Sequence, residues 1–200
     1  GWQSFFQQQL SLEEWDNVIP ARIVELYKTE ITVTTASESF NIGLLPAMPE
    51  MVVGDWVLLN NNKQFLRLLE RKTCFSRKAA GHKHTKQLIA ANIDTAFIVS
   101  SMNDDFSLNR IERFLALANE SGAEPVVLLS KRDLAYAPET FVAAVQALDS
   151  NLIVEPINSL DTNNRTVLSS WLKQGNTIAM LGSSGVGKST LINTLLGENR

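Results

Sequence analysis

The chain has 200 residues, 44% of them apolar, with 18 Lys and Arg against 21 Asp and Glu for a formal charge of −3. That length allows one substantial core and a smaller one, and the slight acidity excludes a uniformly basic nucleic-acid binder. No run of eighteen apolar residues and no signal-peptide pattern occurs, and a single cysteine fits a reducing compartment, so a cytoplasmic protein without a membrane partner is expected.

Residues 1–17 read as a leader, because the chain opens at Gly1 without Met and Trp2 to Leu12 then fit a trimmed leader. Residues 18–72 are short and β-rich. Arg22 to Tyr27, Glu30 to Thr35, Ser39 to Leu44, Asp55 to Asn60 and Gln64 to Leu69 are predicted strands separated by polar, Gly or Pro breaks. Five short strands suit a small barrel of the OB or SH3-like kind. Trp56, followed by Val57 and Leu58, is expected in the core, not as a stacking platform for bases.

Residues 73–92 read as a basic connector. Between Lys63 and Leu88 lie eight Lys or Arg against Glu70 alone, a local +7 that leaves −10 for everything else. On charge alone this is either a solvated linker or a footing for RNA phosphates. Arg71, Lys72, Arg77 and Lys78 are the candidate RNA contacts. Cys74 is expected as a small, partly buried hydrophobe, and His82 and His84 as loop residues; one Cys and two His cannot close a structural zinc site.

From residue 93 the texture changes to alternating strands and helices. Ile93 to Ser100 is a predicted strand, Leu108 to Asn119 a helix with Ser107 as N-cap and Gly122 as its stop. Pro125 to Leu129 is the next strand. It runs into Ser130-Lys131-Arg132-Asp133, which has the form of the [NT]-K-x-D guanine-specificity element with Ser in the first place. A carboxylate at Asp133 can accept hydrogen bonds from N1–H and the 2-amino group of guanine, while the stem of Lys131 covers the ring. Adenine offers neither donor. Ser130 is expected to brace the site less well than Asn, having the shorter reach. Standing alone, such a tetrapeptide is more often a solvated turn.

Pro138 opens a helix through Leu148, and Leu152 to Ile157 is a strand. Asn158-Ser159-Leu160 follows it where a main-chain donor could meet guanine O6; an ordinary loop reads equally well. Thr166 to Lys173 is a predicted helix stopped by Gly175. Ile178 to Leu181 is a short apolar strand, and Gly182-Ser183-Ser184-Gly185-Val186-Gly187-Lys188-Ser189 fits G-x-x-x-x-G-K-[ST]. Leu191, Ile192, Leu195 and Leu196 then recur at helical spacing, with Thr190 in the first turn. Glycines let backbone N–H groups close around a polyphosphate, Lys188 brings a cation to its β and γ phosphates, and the Ser189 hydroxyl is a Mg²⁺ ligand. The loop by itself does not choose between ATP and GTP. Four strands each followed by a helix predict a doubly wound parallel sheet; if its topology is that of a G domain, the order is 177–181, 93–100, 126–129, 152–157.

A base-reading loop first and a phosphate loop last is the order of circularly permuted GTPases. On Val53-Gly54-Asp55-Trp56-Val57, Phe75 to Gly81, Ala90 to Asp94, Asp105 to Arg113 and the phosphate loop, the chain resembles the RsgA family of ribosome small-subunit-dependent GTPases from about Val18 to Arg200. The resemblance implies an N-terminal OB-fold, a circularly permuted α/β P-loop GTPase domain at 93–200, and a zinc-binding C-terminal domain that is not in this sequence. It also implies GTP and GDP with Mg²⁺ as ligands, a monomer, and the 30S subunit with its 16S rRNA as partner in late subunit maturation. The switch threonine and the D-x-x-G motif used in hydrolysis are not recognisable here, so nucleotide binding with little or no turnover is expected. Two other readings stay open: a P-loop ATPase or kinase, and an RNA-binding module whose nucleotide-type half is only a scaffold.

Overall fold

The computed structural model describes residues 1–78 and 86–197, with Lys78 described in its backbone only; His82 and His84 lie outside the described residues. The chain divides into two compact units, Gly1–Ile93 and Asp94–Arg200.

In the first unit, β1 (Ile19–Leu26), β2 (Glu30–Thr34), β3 (Ser39–Gly43), β4 (Trp56–Leu59) and β5 (Phe65–Leu68) form one antiparallel sheet in the order β3-β2-β1-β4-β5. The sheet curls into a half-barrel with β3 and β5 as its edges. Alternation decides which side is dry: Ile31 and Val33 of β2 join Ala21, Ile23, Met51, Val57 and Leu59 in one core. β4 is buried on both faces, however. Its other face, Trp56 and Leu58, packs with Phe6 and Leu69, and Trp2, Leu10 and Val18 close over them. The cover comes from residues expected as a leader. Helix α1 (Ser4–Gln7) sets Phe6 at 1% exposure, 5.8 Å from the Trp56 ring, and Trp2 stands edge-on to Trp56 at 5.0 Å. Burying those rings removes apolar surface from water at ~25 cal/mol per Å².

Glu14 holds this segment down. It accepts two hydrogen bonds of 2.9 Å from Arg67 of β5 and one from the Ser11 N–H. These bonds, Arg67 first, lower its carboxyl from 4.5 to about 2. Since the folded value is the depressed one, the stabilisation is complete above pH 4.5 and is lost as pH falls towards 2. Glu14→Gln is expected to lower the unfolding temperature at pH 7, with the gap to the wild type closing between pH 4.5 and 2. A gap that stayed constant over that range would contradict the assignment.

The basic stretch is partly neutralised inside the unit. Lys63 pairs with Glu38 at 2.7 Å, Arg67 with Glu14, and Arg71 with Asp55, so among the described residues three of these cations have carboxylate partners. Arg71, one of the RNA candidates, is engaged within the unit. Its Nε and Nη2 donate to the two carboxylate oxygens of fully buried Asp55 at 2.7 and 2.8 Å, and Nη2 also reaches the Glu50 carbonyl. Arg71 is a structural strut.

β6 (Cys74–Lys78) and β7 (Lys86–Ala91) pair antiparallel and fall within the first unit, so these strands do not merely connect two units. Asn92 fastens their base, accepting the Lys72 N–H at 2.8 Å and donating to the Gly54 carbonyl at 3.0 Å.

In the second unit, β8 (Thr95–Ser101), β9 (Glu124–Ser130), β10 (Ile153–Pro156) and β11 (Ile178–Leu181) run parallel, as the strand pattern predicts, in the order β10-β9-β8-β11 that a G-domain topology implies. β8 is buried throughout and β11 is half-buried at an edge. Helices α2 (Leu108–Ser121), α3 (Pro138–Gln146), α4 (Asn164–Val167) and α5 (Lys188–Leu196) complete the unit. Ser107 and Gly122 flank α2 as expected, although the Ser107 side chain makes no capping bond. The helix expected over 166–173 is the four-residue α4 instead. Beyond Val167 the Ser169 and Trp171 N–H groups bond three residues back, which tightens the turn as Leu168 enters the core. Among the described residues no helix is long and apolar enough to cross a membrane.

Candidate functional site

A parallel sheet sends all its strands out at one end, and the loops leaving β9, β10 and β11 meet there. The loop after β11 runs from Gly182 to Gly187, and α5 starts at Lys188. Gly182 has φ +150°, and a Cβ there would collide with the Val99 carbonyl oxygen. Gly187 has φ +98°, and a Cβ there would stand 2.8 Å from Ser159 Oγ. Only glycine allows the backbone this path. Ser184 and Gly185 are exposed at the loop tip, Val186 is buried as its anchor, and Ser189 and Thr190 lie exposed in the first turn of α5. The Lys188 ammonium donates to the carbonyls of Gly182 and Ser183 at 2.9 and 2.6 Å, which places a cation inside the curve of the loop. This cradle fits a polyphosphate: N–H groups at a helix start, glycine at the tight points and one lysine.

Ser130 ends β9. Its buried hydroxyl donates to the Val186 carbonyl at 2.6 Å, so the shorter side chain does reach the phosphate loop. The bond is possible because the Val186 side chain is drawn into the core beside Val99 and Leu128, bringing that carbonyl close. Lys131 follows with φ +60°, and Arg132 to Leu134 form a 3₁₀ turn tied to the end of β10 by the Arg132 N–H bond to Ile157 O. Arg132 and Asp133 are exposed.

The third loop, 158–160, is held in a local turn. Asn158 Oδ1 accepts the Leu160 N–H at 3.0 Å, so the main-chain donor considered for guanine O6 is already engaged in a local turn, and the Leu160 side chain is 71% exposed. Ser159 is buried. Its carbonyl accepts the Thr194 hydroxyl at 2.8 Å, joining the loop to α5, while its Oγ has no partner among the described residues. Thr194 and Val99 shape the site without any motif to announce them; their roles arise only from where α5 and β8 lie.

The remaining RNA candidates sit on the first unit. Lys72 Nζ donates to Gln3 at 3.0 Å, and exposed Arg77 donates to Gln87 across the hairpin at 2.9 Å. The Lys78 side chain lies outside the described residues.

Comparison with known proteins agrees with this geometry. The RsgA GTPase family pattern matches residues 68–200. The chain is 50% identical over 198 residues to the small ribosomal subunit biogenesis GTPase RsgA 2 of Vibrio parahaemolyticus, covering 99% of this chain and 55% of that protein. The chain thus spans about half the length of that relative. In fold it is similar to the crystal structure of YjeQ from Thermotoga maritima, with a TM-score of 0.72 and 22% identity over 89% of this chain and 65% of that one. It is also similar in fold to YloQ, described as a circularly permuted GTPase, with a TM-score of 0.64 and 23% identity over 92% of this chain and 66% of that one.

Proposed function

The chain belongs to the RsgA GTPase family, and we propose that its second unit binds guanine nucleotide between the Ser130–Asp133 turn and the Gly182–Thr190 loop, as part of a GTP hydrolase that acts on the small ribosomal subunit. One observation carries the proposal: the 2.6 Å bond from Ser130 to Val186 ties the base-reading turn to the phosphate loop at one end of one sheet. Asp133 takes the guanine N1–H and 2-amino donors and Lys131 lies over the ring, while Arg132 positions the turn through its backbone. Lys188 and the loop N–H groups of Ser183 to Ser189 hold the phosphates, with Thr190 extending the helix start. Ser159 and Leu160 line the base side. Mg²⁺, with the Ser189 hydroxyl as its ligand from this chain, neutralises charge between phosphates when bound.

For the first unit the proposal is contact with 16S rRNA of the 30S subunit through the β6–β7 hairpin, chiefly Arg77 and Lys78, with the protein acting as a cytoplasmic monomer that leaves the subunit as GTP is hydrolysed. Arg71 and Lys72, which both bond within the unit, are the lesser candidates.

Titration of GDP and ADP in the presence of Mg²⁺ tests the nucleotide reading. A carboxylate left facing a base without donors discriminates by ~10⁴, so ADP is expected to bind at least about 100-fold more weakly than GDP. Equal affinity would favour an ATPase or kinase instead.

A further inference from the structure

Resting on the guanine-nucleotide reading above, we propose that Arg110 and Arg113 of α2 form an anion subsite for the terminal phosphate of a nucleoside triphosphate, so that this chain tells triphosphate from diphosphate through α2.

A cavity of about 430 Å³ lies between α2 and the phosphate loop, lined by Arg110, Arg113, Phe114, Leu117 and Ser183. The spacing of the four helical positions puts them on one face. Both arginines are exposed, and neither guanidinium has a hydrogen bond or ion pair among the described residues. Ser183 is the shared wall. Its carbonyl also receives the Lys188 ammonium at 2.6 Å, so the residue that borders the arginine-lined cavity is also one that holds the lysine of the phosphate loop. A smaller adjoining cavity is lined by Arg110, Ser183 and Asp105. Asp105 therefore tempers Arg110, and Arg113, which does not line that cavity, is the stronger member.

A terminal phosphate adds charge that a diphosphate lacks, and a guanidinium fork meets phosphate oxygens with two parallel hydrogen bonds. Lys188 serves both nucleotides; the arginine pair acts on the triphosphate alone.

The test compares dissociation constants for GDP and for slowly hydrolysed GTPγS, with Mg²⁺, in the wild type, Arg113→Gln, and the double variant Arg110→Gln/Arg113→Gln. Charge-assisted bonds of this kind predict a loss of about tenfold in GTPγS affinity at Arg113 and more in the double variant, with GDP affinity unchanged. Arg113→Lys is expected to recover part of the loss. An unchanged ratio of GTPγS to GDP affinity in the double variant overturns the subsite, as does an equal loss for both nucleotides. If the wild type binds neither GDP nor GTPγS, the guanine-site reading itself fails and the subsite falls with it, a result visible before any variant is made.

Discussion

Asp55→Ala is expected to destabilise the N-terminal unit by about 3 kcal/mol, the lower end of the cost of breaking a buried ion pair from one side. The Asp55 side chain is fully buried, and its two oxygens accept three bonds of 2.7 to 2.8 Å, two from Arg71 and one from the Val52 N–H. Removing it orphans the Val52 donor and leaves a cation whose side chain is only 21% exposed. The lower end of the range applies because that opening lets water reach part of the guanidinium. For a unit of this size the loss corresponds to a fall in melting temperature of roughly 15 °C. Hydrogen exchange at the amides of β1 and β4 reads it locally. Full retention of stability would mean that Arg71 is free for another role, and its reading as an RNA contact would revive.

Gly187→Ala is expected to weaken GDP binding about 100-fold or more while leaving the sheet folded. Alanine at φ +98° is strained by ~1 kcal/mol or more, and its Cβ would press on Ser159 Oγ at 2.8 Å. The backbone relieves both by turning, which misdirects the N–H groups that begin α5. Neither Ser159 nor Gly187 can withdraw easily, since the Ser159 carbonyl is bound to Thr194 and the Gly187 carbonyl accepts the first helical bond from Leu191. Calorimetric titration, with circular dichroism to confirm the fold, checks this. Wild-type affinity in the variant would show that the loop does not hold phosphate in this shape.

Local pattern made much of this legible. The five strands of the half-barrel, the strands of the parallel sheet and the phosphate loop follow from periodicity, turn residues and a motif with its flanking strand and helix, whereas the order of the parallel sheet comes only from the topology that the resemblance implies. What stayed hidden depends on partners distant in sequence. A charge count over 63–88 cannot see that Arg67 and Arg71 face Glu14 and Asp55, one of them 53 residues away. Residues 1–17 lack a strong period, yet Phe6 and Trp2 cover the far face of β4, because Trp56 and Leu58 on that face need a lid. Ser130 looks too short for its task until Val186 is seen anchored in the core, which brings the acceptor to the hydroxyl. The Leu160 amide looks available until Asn158 is seen to bind it.

Asp133 carries the base specificity in this account, and exchanging its carboxylate for an amide tests that most directly. Asp133→Asn, titrated with GDP and with xanthosine diphosphate, should lose GDP affinity and gain affinity for the xanthine nucleotide, whose 2-oxo group accepts from the amide; the preference is expected to change by about 10³-fold or more. Unaltered preference for GDP in the variant would contradict the pairing of the Ser130–Asp133 turn with the phosphate loop in one site.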